Sequence, residues 1–258
     1  MPPKVRAPAH SIDISEKKGV RYLHFGSDWV QGAMRIARPW SLELAYTREM
    51  MAGLLLRAAP DWPRRALLVG LGAGSLAKFI YRHRPTCRIQ VVEIHPQVEA
   101  VARQYFNLPD DPMRLRITLG DGAEYMLRGG EDHDLILVDG FDADACSGAL
   151  DTLPFYQACR ARLSQNGLLA VNLLGRNRGA QASAGRISQA FDGRSLVLPP
   201  CEGGNTIAFA VDGERIDISL DDMQHRADTL REATSLDLAP TLLRLRQSDC
   251  LPGGRLAL

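Results

Sequence analysis

The chain has 258 residues, 45% apolar and 24% charged, which is ordinary for a soluble globular protein and long enough to bury a sizeable core. Its 31 basic and 30 acidic side chains leave a net charge of +1, so no electrostatic argument supports a nucleic-acid or membrane partner, and neither is expected. No apolar run approaches the roughly 18 residues a membrane-crossing helix needs.

Taken in order, residues 1–10 are proline-rich and polar and read as a disordered tail. Their two positive charges are followed by no apolar stretch, so they do not form a secretory signal. Five cysteines (Cys87, Cys146, Cys159, Cys201, Cys250) are scattered without Cys-x-x-Cys spacing. They read as reduced thiols of a cytoplasmic protein with no metal site. From Ser11 to about Ala37, runs such as Val20 to Phe25 and Trp29 to Ile36 alternate with Gly19, Gly26 and Gly32, predicting a small antiparallel sheet. Leu44, Met51, Leu54 and Leu55 then recur at helical spacing, predicting a helix within Ser41 to Arg57. The division expected is an N-terminal sheet with its connecting helix over 11–60 and a cofactor-binding catalytic domain over 61–258.

After Ala66 strands and helices alternate, the pattern of a parallel sheet covered on both faces. Predicted strands are Ala66 to Val69, Ile89 to Val92, Leu115 to Leu119, Leu135 to Val138 and Leu168 to Leu173. Gln97 to Phe106 and the segment opened by Pro154 read as helices. Ser195 to Leu198 and Thr206 to Val211 flank a short loop and predict an antiparallel pair closing the sheet. The tail from Ser219 has helical periodicity, with Pro240 expected to break it into two pieces.

Gly70, Gly72 and Gly74 follow the first of these strands, and Glu93 ends the second. A glycine turn of this kind brings backbone close to a ligand, and an acid at the second strand's end accepts bonds from ribose hydroxyls. A purely structural turn is the alternative reading. Gly120-Asp121-Gly122 ends the third strand, and Asp139-Gly140-Phe141-Asp142 ends the fourth. Ligands in open parallel sheets bind at these ends, so Glu93, Asp121, Asp139 and Asp142 are expected to converge on one crevice. Asp139 and Asp142 have capping of the following segment as their structural alternative.

In this order and spacing, Val92-Glu93-Ile94, Gly120-Asp121-Gly122, Asp139-x-x-Asp142 and Phe155-Tyr156 ahead of Gly167-Leu168 resemble the spermidine synthase (polyamine aminopropyltransferase) family. The resemblance runs from about Gln31 to Val211. It implies an α/β fold: a Rossmann-like class I methyltransferase sheet, mostly parallel and seven-stranded with an antiparallel last strand, behind the small N-terminal sheet. It implies transfer of an aminopropyl group from an adenosyl-sulfonium co-substrate to a small-molecule amine, by a homodimer and without a metal. Carried over, Glu93 holds the ribose and Asp121 the adenine amino group, with Ile94 and Gly122 also binding the co-substrate. Gly70, Gly72 and Gly74 hold the arm, and Gln31 reaches in from the N-terminal sheet. Asp139 lines the co-substrate and takes the proton of the attacking amine, with Asp142 orienting that amine. An ammonium cannot attack, so a carboxylate that accepts its proton is the group this chemistry needs.

Four positions depart from the family pattern. The family's loop aspartate is replaced by Ala73, and its Tyr-His-Glu or Tyr-Gln-Glu triplet matches Thr47-Arg48-Glu49. Its Tyr-Pro-Ser-Gly segment falls on Pro200-Cys201-Glu202-Gly203, and Ala143 replaces a proline. Ala73 and Arg48 together would suit an arm that carries a carboxylate. Hence an expectation: intact S-adenosylmethionine binds at least as well as the decarboxylated form. Arg48 as a solvated helix residue is the equal alternative. His95 reads as a loop residue beside the adenosine, and Trp29, Trp40 and Trp62 as packing residues. Rival readings are a methyltransferase on the same fold and a non-catalytic protein that binds an adenosyl ligand. A nicotinamide dehydrogenase ranks below both.

Overall fold

Three short strands, β1 (Ile12–Lys17), β2 (Val20–Phe25) and β3 (Val30–Arg35), pair antiparallel in sequence order. Our computed structural model describes residues 11–26, 29–57, 59–141, 147–173, 178–248 and 250–258. The expected disordered tail lies outside these residues, as do Asp142, Ala143 and Cys146. Lys18 and Gly19 join β1 to β2 with φ of 52° and 74°. Two consecutive positive φ values give a hairpin turn whose twist matches the strands it joins. In β1 the alternation fades after Ile14 into Ser-Glu-Lys, all exposed.

The helix expected between Ser41 and Arg57 is shorter: α1 (Ala45–Met50) passes into a 3₁₀ turn over Met51–Leu55. Gly53 is a weak helix former. It also packs so closely that a Cβ there would lie 2.9 Å from Leu168. The alternating region follows as β4 (Arg65–Val69), α2 (Ser75–His83), β5 (Arg88–Glu93), α3 (Pro96–Tyr105), β6 (Leu115–Leu119) and α4 (Gly122–Leu127). It continues as β7 (His133–Val138), α5 (Leu153–Ala161), β8 (Leu163–Leu173), α6 (Arg178–Ala190), β9 (Ser195–Val197) and β10 (Thr206–Val211).

The seven strands from β4 to β10 form one sheet in the order β6-β5-β4-β7-β8-β10-β9, with β10 antiparallel to both neighbours. This is the mostly parallel sheet expected. From β4 the chain winds out to β6, then returns to the other side at β7. The crevice between the carboxyl ends of β4 and β7 is therefore the topological switch point, where such sheets bind ligands.

Alternation inside β4 and β7 divides the core. Leu67, Val69, Ile136 and Val138 pack with residues of α4, α5 and α6, whereas Ala66, Leu68, Leu135 and Leu137 pack with α1, α2, α3 and the C-terminal tail. That tail contains β11 (Asp217–Ser219), α7 (Leu220–Thr234), α8 (Ala239–Arg246) and β12 (Arg255–Ala257), with β11 and β12 paired antiparallel. The helical break comes earlier than expected. Ser235 ends α7 with φ of 62°, and Pro240 sits in the first turn of α8, where its missing N–H costs nothing.

Candidate active site

The carboxyl ends of β4, β5, β6 and β7 surround a cavity of about 540 Å³, roofed by β3, α1 and the loop before β10. Gly70 turns the chain out of β4 with φ of 98°. A Cβ at Gly70 would lie 2.3 Å from the carbonyl oxygen of Asp139, so only glycine lets the two strand ends meet. Gly72 lines the cavity, whereas Gly74 sits behind the wall as the N-cap of α2. Gln31, Ile94 and Gly122 also lie on the wall.

Glu93, 6% exposed, ties the loop to the end of β5. One carboxylate oxygen accepts from the Leu71 N–H at 2.9 Å and the other from the His95 N–H at 2.8 Å. Burial raises its pKa, and those two backbone donors oppose the rise. His95 is the N-cap residue of α3 and lines the cavity. Asp121 both faces the cavity and caps α4, its Oδ1 accepting from the Glu124 N–H at 2.9 Å.

Asp139 follows β7 and is held by a side chain of the neighbouring strand. Its Oδ1 accepts from Asn172 Nδ2 at 2.8 Å, and Tyr46 lines the cavity with it. Asn205 donates in turn to Asn172 Oδ1 at 3.0 Å. Burial raises the Asp139 pKa, the largest effect, while the neighbouring Asn172 and Tyr46 side chains pull it down. Burial and then the Asp139 charge hold the Tyr46 pKa well above its ordinary value, so the phenol keeps its proton. Asp142 lies outside the described residues.

Sequence reading missed Tyr46, Asn172 and Asn205. Matching the family triplet onto Thr47-Arg48-Glu49 hides the tyrosine one residue earlier. Asn172 carried a usable signal, because it is a lone amide near the end of the apolar run Leu168 to Leu173.

Two expectations are corrected. Arg48 is neither a carboxylate receptor in the cavity nor simply solvated: Nη1 donates to the carbonyls of Leu42 at 3.1 Å and Glu43 at 2.7 Å. It is absent from the cavity wall, so it supports no preference for a co-substrate with a carboxylate. Trp29 does not pack inside; it is 65% exposed and lines the cavity. Ala73 is 2% exposed and packs with Leu23, Met34 and Phe106 beneath β3. A Cβ at Gly32 would lie 2.5 Å from that of Ala73, so β3 meets the loop with no room for a side chain at position 32.

The electrostatic character of the wall is one-sided. Glu93, Asp121, Asp139 and Glu202 line it, and among the described residues no lysine or arginine does. The same residues provide no group of three or more His, Cys, Asp or Glu side chains placed to hold a metal ion.

The spermine/spermidine synthase domain model matches residues 43–173, from just before α1 to the end of β8. The polyamine aminopropyltransferase of Neisseria meningitidis serogroup A is 37% identical over 238 residues, covering 92% of this chain and 90% of the relative. The chain belongs to the spermine/spermidine synthase family.

Among solved structures, a probable spermidine synthase from Corynebacterium glutamicum shares the fold, with a TM-score of 0.70 at 19% identity over 88% of this chain and 91% of that one. Human methyltransferase-like protein 13, solved in complex with SAH, superposes with a TM-score of 0.66 at 26% identity, covering 75% of this chain and 93% of that one. The family segment ends before Glu202 and Asn205 and begins after Gln31, so both walls contributed by β3 and by the loop before β10 lie outside it.

Proposed function

We propose that this protein transfers an aminopropyl group from decarboxylated S-adenosylmethionine to a small-molecule amine. One observation carries the choice of co-substrate: four carboxylates and no lysine or arginine line the described cavity. An arm ending in an ammonium suits that wall, whereas the α-carboxylate of intact S-adenosylmethionine would face like charge without a cationic partner. A methyltransferase, which needs the intact form, is disfavoured on the same ground.

The sulfonium supplies an electrophilic carbon with a neutral thioether already poised to leave. What remains for the protein is alignment and removal of a proton. Glu93 and Ile94 are assigned to the ribose side, Asp121 and Gly122 to the adenine side, and Gly70, Gly72 and Gln31 to the arm. Gly74 contributes by shaping the turn. Asp139 is assigned the proton from the attacking nitrogen, with Tyr46 and Asn172 as its polar neighbours, and Asp142 the orientation of the amine. The bacterial relatives and the lack of a helix long and apolar enough to cross a membrane, among the described residues, support a cytoplasmic setting. The family resemblance supports a homodimer, which sedimentation would test.

Incubation with decarboxylated co-substrate and putrescine is expected to release methylthioadenosine. Release of S-adenosylhomocysteine from the intact form, with no methylthioadenosine from the decarboxylated one, would overturn the assignment.

A further inference from the structure

Glu49 lies on α1 and is 2% exposed. Its Oε1 is ion-paired with Nη2 of Arg244 and accepts from Thr241 Oγ1 at 3.3 Å, and both partners come from α8. Its Oε2 and the Arg244 Nε are buried without a hydrogen-bond partner. Such a pair is a poor device for stability, since apolar side chains of similar volume commonly do as well or better. Its strength is geometric: a guanidinium on a buried carboxylate fixes the rotation of the element that carries it.

Rotation matters for α1. The helix has only 6 residues, and Leu44 at its N-cap supplies no side-chain hydrogen bond. A helix this short does not hold itself together, so packing sets its orientation. Tyr46 stands three residues before Glu49, hence on a neighbouring part of the same helical surface. It lines the cavity together with Asp139, as do Ala45 and Thr47 beside it. The tail is fastened here a second time, through Arg226 Nη1 donating to the Leu55 carbonyl at 2.8 Å, just after α1.

We infer that Arg244 is a positioning residue: through Glu49, the C-terminal helix α8 holds α1 at the rotation that keeps Tyr46 in the cavity wall with Asp139. The inference rests on the aminopropyl-transfer reading for its kinetic consequence, not for its structural one.

A double-mutant cycle on the full chain tests it, using Tyr46→Phe, Arg244→Gln and the two combined. Each change is expected to lower kcat by roughly tenfold, the order of one lost polar neighbour at a charged group. KM for the sulfonium co-substrate should stay unchanged, and the combined variant should be no slower than Tyr46→Phe alone. Should Arg244→Gln unfold because Glu49 is left unpaired, Glu49→Gln with Arg244→Gln removes both charges and takes its place in the cycle. Multiplicative losses, or an unaltered kcat in a folded variant, would overturn the inference. Hydrogen exchange of amides 45–50 gives a readout independent of activity: faster exchange there with α7 unchanged supports the coupling, and unchanged exchange sinks it. A wild-type chain that releases no methylthioadenosine would refute the proposed function alone, and the exchange result would still decide the role of Arg244.

Discussion

Asp139 has two polar neighbours that come from different parts of the fold. Asn172 reaches it from β8 within the same sheet, whereas Tyr46 arrives on α1. A carboxylate whose pKa is raised by burial is a better proton acceptor than a solvated one, provided the solution stays above that pKa. The sign follows directly: activity should fall as pH drops through a value above the ordinary aspartate range, because the protonated acid accepts nothing. Asp139→Asn should lower turnover by roughly 10² to 10⁴-fold while calorimetry finds methylthioadenosine still bound. Turnover close to that of the wild type would remove Asp139 from the proton-accepting role. Tyr46→Phe removes a hydroxyl that lowers the Asp139 pKa, so the acid limb of its kcat/KM profile should move to higher pH.

At the scale of elements, the contact between β3 and the glycine loop has little slack. Gly32→Ala would place a Cβ 2.5 Å from that of Ala73. Overpacking of that kind costs about 1–3 kcal/mol, and thermal denaturation should show it as a lower Tm. An unchanged Tm would mean that β3 can retreat. A second joint is Lys78, which reaches from α2 to the Phe106 carbonyl beyond α3 at 2.6 Å. It is 1% exposed, and burial lowers its pKa to about 7. Its folded value lies below its unfolded one. The folded state therefore binds fewer protons between about 7 and the ordinary lysine value of 10.5, and stability should rise with pH across that window. Denaturant midpoints at about pH 7.5 and about pH 9.5 should differ in the wild type and converge in Lys78→Met. The strand and helix alternation that carries these joints was legible because Leu135 to Val138 and Thr206 to Val211 are apolar runs with clear ends. β11 and β12, three residues each, fall below any periodic signal, and Pro240 misled because proline both ends and begins helices.

Across the whole molecule, the sequence revealed the sheet and which acids gather at its ends, but not what turns toward them from elsewhere. Glu93, Asp121 and Asp139 follow apolar runs and could be found by that position alone. Tyr46 and Asn205 reach the site only through tertiary packing, and Arg48 lost its expected task to two backbone carbonyls. Among the described residues the wall carries four carboxylates and no lysine or arginine, which bears on encounter rates. A protein with a formal net charge of +1 exerts little pull at long range, yet its cavity concentrates negative potential between low-dielectric walls. Cationic substrates should be drawn in over the last ten or so ångströms, about one Debye length at 0.1 M salt. The apparent kcat/KM should therefore fall as ionic strength rises, more steeply for a dicationic acceptor than for a monocationic one. A salt-independent kcat/KM would show that capture is governed by shape and not by field.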